Sequence, residues 1–148
     1  MTIATVITAI QTVNSGISGI RNAPTTIPGK LNSADLPMML VFVGPGEPER
    51  VSDFSLHFRT FWIRCYVKPI SLDAKPDAGY REAYTLLQSV IEEYLSDITF
   101  GGSVQHAGTG ARYDPPTLED SGVQAMPYAG NLYHGFEIVV VTKEQIVS

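Results

Sequence analysis

Cysteine is all but absent: Cys65 stands alone, so no internal disulfide can form. In strand-like surroundings its thiol reads as a small buried hydrophobe. A basic surplus is missing too. Ten Lys and Arg face 15 Asp and Glu, a formal charge of −5, which removes a phosphate-gripping surface as the default reading. No apolar run approaches the ~18–20 residues of a membrane-spanning helix. No basic leader precedes the apolar N-terminal residues, so neither a secretory signal nor a membrane partner is expected, and the chain should be soluble and cytoplasmic. Repeats, low-complexity tracts and linkers are lacking as well. One domain over residues 1–148 is expected, long enough to bury a core without staples.

Catalytic patterns are equally scarce. His57, His106 and His134 are far apart and lack metal-ligand spacing. Cys65 with His57 suggests a nucleophile and base, but no local signature surrounds the cysteine and a core role fits better. Gly101-Gly102 and Gly108-Thr-Gly110 follow a helix pattern, whereas a dinucleotide fingerprint follows a strand and opens a helix. Asp114 with Glu119 and Asp120, and the pair Glu92-Glu93, read as solvated surface. No catalytic residue, metal site or cofactor is expected.

What the chain does have is a strand-then-helix unit from Phe54 to Asp97. Phe54 to Ile70 is dense in aromatic and β-branched residues, as strands prefer. Phe54, Leu56 and Phe58 alternate with Ser55, His57 and Arg59. Beyond Thr60 the parity flips, and Phe61, Ile63, Cys65 and Val67 become the apolar set. Because a one-residue slip turns side chains to the opposite face, a bulge near Arg59–Phe61, or two strands meeting there, is predicted. After Pro69–Pro76 the period changes. Tyr80, Tyr84, Leu87, Ile91, Tyr94 and Ile98 form an amphipathic helical stripe over about 77–98. Asp73 or Asp77 can cap its start, and Gly101-Gly102 ends it.

The remaining segments surround this unit. About 2–20 reads as a helix with Ile3, Val6, Ile7, Ile10, Val13 and Ile17 on one face and Thr5, Thr8, Gln11, Thr12 and Asn14 opposite. Residues 23–37 hold three prolines and a glycine and read as an irregular connector. Met38–Val43 reads as a strand buried on both faces, and Gly44–Asp53 as an acidic turn or hairpin loop. Residues 103–131 read as a long loop, with a short strand within 122–126, and 132–143 as a final strand with Phe136, Ile138 and Val140 inward. The predicted class is α+β: a single, mostly antiparallel sheet packed by an N-terminal and a central amphipathic helix.

Charge is unevenly placed. Arg59, Arg64 and Lys68 mark the central strand with no acid among them, while the segment from Asp73 to Asp97 carries six acids against Lys75 and Arg81. Such patches suit self-association through complementary faces, or pairing within one subunit.

Seven pieces in succession carry a resemblance: Ala23-Pro24, Ser33-Ala-Asp-Leu-Pro37, Gly44-Pro-Gly46, Arg59-Thr-Phe-Trp-Ile-Arg-Cys-Tyr-Val67, Ser121-Gly-Val-Gln124, Tyr128-Ala-Gly130 and Tyr133-His-Gly-Phe-Glu137. Their order and spacing span nearly the whole chain, which resembles the tail-terminator (tail-completion) proteins of long-tailed bacteriophages. The resemblance implies a virion structural protein without enzymatic activity or cofactor, assembled in the host cytoplasm as a hexameric ring on the tail. That ring caps the tail-tube protein, stops its polymerisation and offers a docking surface to the head–tail connector protein, while DNA passes through the lumen without specific binding. Another head-closure component is the nearest alternative. A small α+β enzyme or ligand-binding domain, using the sheet and the 103–131 loop as a pocket, is the alternative from a different class. Candidate subunit, partner or lumen residues are Glu47, Glu49, Arg50, Arg59, Arg64, Arg112, Tyr113 and Asp114. An acidic lumen would repel phosphates. Neutralising Glu47 and Glu49 therefore leaves ring assembly intact if they face the lumen and weakens it if they sit between subunits, as sedimentation of the double Gln variant would measure.

Overall fold

The computed structural model describes residues 3–51, 54–70, 76–97, 106–107 and 118–147. It is α+β: an antiparallel sheet with two helices packed on it. The elements are α1 (Ile3–Ser15), a short 3-10 turn (Ser33–Asp35), β1 (Met38–Val51), β2 (Phe54–Pro69), α2 (Pro76–Ser96), β3 (His106–Ala107), β4 (Glu119–Asp120), β5 (Gln124–Tyr128) and β6 (Asn131–Val147).

β2 is the middle of a β1–β2–β6 sheet. Along the far edge of β6 the short segments β5, β4 and β3 succeed one another, each antiparallel to it. Together they make one broken edge strand, so residues 103–131 are not wholly the loop that their glycines and prolines suggest. β5 turns into β6 through Ala129 and Gly130, both at positive φ (49° and 85°). This is the two-residue hairpin geometry that matches strand twist, and glycine adopts it cheaply.

One sheet face meets the helices. Phe61, Ile63, Cys65 and Val67 of β2, with Phe136, Ile138 and Val140 of β6, pack against Val6 and Ile10 of α1 and Ala83, Leu86, Val90 and Tyr94 of α2. The opposite face is covered in part by the 23–37 connector. There Leu36 joins Met38, Leu40, Tyr66, Met126 and Tyr133, with Leu31 and Tyr128 beside them. Tyr66 meets the rings of Tyr128 and Tyr133 edge-on at 5.2 and 5.8 Å, a favoured aromatic geometry. The Tyr128 hydroxyl donates to the Pro28 carbonyl and so ties the connector down.

Several expectations are corrected. α1 ends at Ser15 rather than near residue 20, and Gln11 and Asn14 are buried rather than on the outer side. Their amides have partners inside, and those partners offset the cost of burial. Residues 44–51 are strand and not a loop: β1 runs on to Val51, and 52–53 lie outside the described residues. The parity flip has its irregularity in β1, between Val43 and Gly46, while β2 pairs with β6 without a break through Arg59, Thr60 and Phe61. Phe58 consequently faces the side of Trp62 and Tyr66, away from the helices. Among the described side chains of β1, Met38 to Val41 are buried and Val43 is exposed. On α2 the inward stripe is rotated. Tyr80 and Tyr84 are 49% and 47% exposed and meet edge-on at 5.5 Å, because Ala83 and Val90, both fully buried, seat the helix closely on the sheet. Asp77 stands in the first turn after Pro76, where an acid complements the helix dipole. Asp73, Ile98, Gly101 and Gly102 lie outside the described residues.

The tightest backbone approach is at Gly135. A Cβ there would overlap the Cys65 carbonyl oxygen and crowd Met126 Cγ at 3.2 Å. Gly135→Ala should therefore destabilise the chain by about 1–3 kcal/mol, the usual cost of overpacking. Urea unfolding would register this as a lower midpoint at unchanged slope.

Candidate subunit interface

The expected interface residues fall into three groups. Arg59 and Arg64 are engaged within the chain. Arg59 donates to the Gly44 carbonyl at 3.3 Å, and its guanidinium occupies the space that a side chain at residue 46 would need; it secures the β1 irregularity. Arg64 Nε donates to Glu137 Oε2 at 2.6 Å, with the two side chains 37% and 24% exposed, and its guanidinium lies 4.7 Å from the centre of the Phe42 ring. Burial pulls the Arg64 pKa down, but Glu137 and Tyr66 together more than offset it and the net shift is upward. For these two cations the fold itself provides partners, a backbone carbonyl for Arg59 and a carboxylate for Arg64.

Glu47, Glu49 and Arg50 stand opposite Phe58, Leu56 and Ser55 in the β1–β2 ladder. This places them on the hairpin at the end of the sheet remote from Lys68 and Pro69; their side chains lie outside the described residues. Arg112, Tyr113 and Asp114 lie outside them altogether. Of the other acids weighed, Glu119 and Asp120 form β4, and Asp120 Oδ1 accepts the Gly122 N–H at 2.8 Å, closing a turn.

β1 is an edge strand, and its edge is blunted. At one end the Met39 N–H donates to the Asn22 carbonyl at 3.0 Å, while the Met39 carbonyl accepts Gln11 Nε2 at 2.9 Å. Further along, Pro45 sits in the irregularity and Pro48 opposite His57, places where a sheet tolerates a missing donor. Prolines and charges on an edge discourage pairing with another strand. The edge is therefore a poor template for sheet extension.

One concavity has no signature in the sequence. An open cleft of about 630 Å³ lies where the turn after α1, the connector, the end of β2 and α2 converge, lined by Gly19, Arg21, Ser33, Pro37, Lys68 and Glu82 among others. A smaller groove of about 310 Å³ adjoins it through Gly19, Pro37 and Glu82. Arg21 Nη1 donates to the Ala34 carbonyl at 3.1 Å. Arg81, beside the groove, pairs with Asp77 at 2.9 Å. No pattern could have revealed this site, because its residues come from four separate segments. Among the described residues no group of three or more His, Cys, Asp or Glu could hold a metal ion, and no helix is long and apolar enough to cross a membrane. Cys65 does not line the cleft and is fully buried. No family model matches this sequence, and no curated protein matches it either.

Burial pushes the Cys65 thiol far above its ordinary 9.0, with the Glu82 charge adding to the effect. Burial likewise raises the Tyr94 phenol above 10.0, although its bond to Asn14 pulls the other way. The folded chain holds these protons where the unfolded chain releases them. Their stabilisation is thus complete below the unfolded pKa values and is lost as pH rises past them. Unfolding free energy should fall above about pH 9, approaching ~1.4 kcal/mol per pH unit for the thiol alone, and more steeply beyond pH 10. Urea titrations from pH 7 to 10.5 would trace both limbs, and Cys65→Ala should remove the first.

Proposed function

We propose that this protein is a non-enzymatic virion structural subunit of the tail-terminator type. It forms a hexameric ring that caps the tail tube, stops its polymerisation and presents a docking surface to the head–tail connector. The observation that carries the reading is the elongated three-strand framework. β1, β2 and β6 run for 14, 16 and 17 residues, and among the described side chains of β2 the helix-side cluster draws on the stretch from Phe61 to Val67. A ring subunit needs reach of this kind, since it must touch a neighbour on each side through contacts that close.

The resembling pieces also fall where the chain changes course. Ser33-Ala-Asp-Leu-Pro37 holds the 3-10 turn that leads into β1, Gly44-Pro-Gly46 is the β1 irregularity, and Tyr128-Ala-Gly130 is the β5–β6 turn. These positions support the likeness as one of architecture and not of composition. In this reading the net acidity of the subunit lets DNA slide through the ring without being gripped, and no cofactor takes part.

Mass measurement by light scattering at micromolar concentration, with negative-stain imaging, tests the reading. A six-subunit ring is expected, either from the protein alone or once tail-tube protein is added, together with shorter tubes when the protein is present during tube assembly. A particle of about 16 kDa under both conditions would overturn it.

A further inference from the structure

We propose that the cleft between the connector and α2 captures the free C-terminal carboxylate of a peptide whose last side chain is apolar. The inference is independent of the ring reading, since every group it uses belongs to one copy of the chain. Three observations lead to it.

The first is that the walls of the cleft are held in place. On the connector side the Arg21 N–H donates to the Pro37 carbonyl at 2.9 Å and Asn22 Nδ2 to the Asp35 carbonyl at 2.9 Å. The Arg21 guanidinium is tied to the Ala34 carbonyl at 3.1 Å. Gly19, at φ 98°, lets the turn after α1 lie against α2, where a Cβ would meet Leu86 Cδ1 at 3.2 Å. Across the cleft, β2 bulges between Tyr66 and Lys68. Successive residues of a regular strand face opposite sides, yet Val67 and Lys68 both border this recess, as a bulge permits. Groups ordered before a ligand arrives spare it the cost of ordering them.

The second is the set of groups that converge. Ile20 and Pro69 offer partly exposed apolar surface, Arg21 and Lys68 two cations, and Glu82 a carboxylate. A bare anion gains nothing from Glu82, and an apolar ligand gains nothing from the three charges. A peptide terminus uses all of them. Its carboxylate accepts from Arg21 and Lys68, its last amide N–H donates to Glu82, and its last side chain covers Ile20 and Pro69. The bond to Ala34 takes only one guanidinium donor of Arg21 and leaves the others for a carboxylate. Capture of a terminal carboxylate is a recurring mode of peptide recognition.

The third is the exit. The adjoining groove shares Gly19, Pro37 and Glu82 with the cleft and continues along α2 past Thr85 to Ser89. Positions 82, 85, 86 and 89 share one side of a helix, so the groove follows the axis for about 10 Å. This is a path for roughly three extended residues preceding the terminus. A small free acid needs no such path.

Fluorescence polarisation with a fluorescein-labelled Gly-Ala-Ala-Leu peptide tests the site on the intact chain. Saturable binding of the free acid is expected. Its C-terminal amide should bind about tenfold more weakly or worse, as should the free acid on Arg21→Gln and Lys68→Gln chains. Glu82→Gln should weaken the peptide but not octanoate, which has no amide N–H. Lys30→Gln removes an equal charge from the exposed connector outside the cleft and should change nothing. An unchanged urea midpoint shows each variant folded. Equal binding of acid and amide overturns the proposal, and so does the absence of saturable binding by the wild-type chain. If octanoate displaces the probe as well as unlabelled peptide does, and Glu82→Gln is silent, the cleft takes small apolar acids and the peptide assignment is wrong. None of these results bears on the ring reading, which light scattering decides.

Discussion

A chain of buried amides and a phenol holds this fold together. Tyr94 of α2 donates to Asn14 Oδ1 at 2.5 Å, and Asn14 Nδ2 donates to Gln11 Oε1 at 2.9 Å. Gln11 Nε2 in turn reaches the Met39 carbonyl at 2.9 Å and the Pro24 carbonyl at 2.6 Å. Four segments distant in sequence are joined through three side chains, all in surroundings where an unmet donor costs about 1–3 kcal/mol. Apolar packing alone would let α1, rich in β-branched residues, slide along the sheet. The amides permit one register. The same network occupies the β1 carbonyl at which an intruding strand would begin to pair.

With α1 held in place, the path of the connector is set as well. It leaves from the turn beyond Ser15, returns beside Met38 through the bridge at Asn22, and lays Leu31 and Leu36 on the sheet face opposite the helices. Both faces of the β2 centre are thereby closed, which is why Cys65 and Tyr66, on opposite sides of one strand, are both almost fully buried. Gly135 belongs to the same constraint, because it lets β6 approach the Cys65 carbonyl where β2 bulges between Tyr66 and Lys68.

The parts legible in the sequence are those ruled by a single periodicity. The inward set Phe136, Ile138 and Val140 and the strand from Phe61 to Val67 read correctly because each alternates against one buried face. α2 is legible as a helix but not in its orientation. Tyr80 and Tyr84 outweigh Gly79 and Ala83 in any hydrophobicity pattern, yet the small residues let the helix seat closely, and proximity decides. Gln11 and Asn14 mislead for a related reason: a polar side chain reads as surface until the partner that satisfies it is known, and Tyr94 is 80 residues away from Asn14. The extension of β1 is hidden by Gly44, Pro45, Gly46 and Pro48, which spell a loop in an interior strand and are tolerated in an edge strand. The cleft is illegible in principle, since its lining exists only after the chain has folded.

The blunted edge bears on how copies could associate. A 14-residue edge strand left open would pair with any other such edge and yield fibres of no fixed size. Here one end is occupied by Asn22 and Gln11, and the other is interrupted by two prolines and three charges. Backbone pairing along an open edge sets no limit on the number of copies. An assembly of defined number needs an angle between copies that repeats without drift, and side-chain contacts of fixed geometry supply such an angle. By this logic the features that make the sheet edge unattractive are the ones that make a counted assembly attainable.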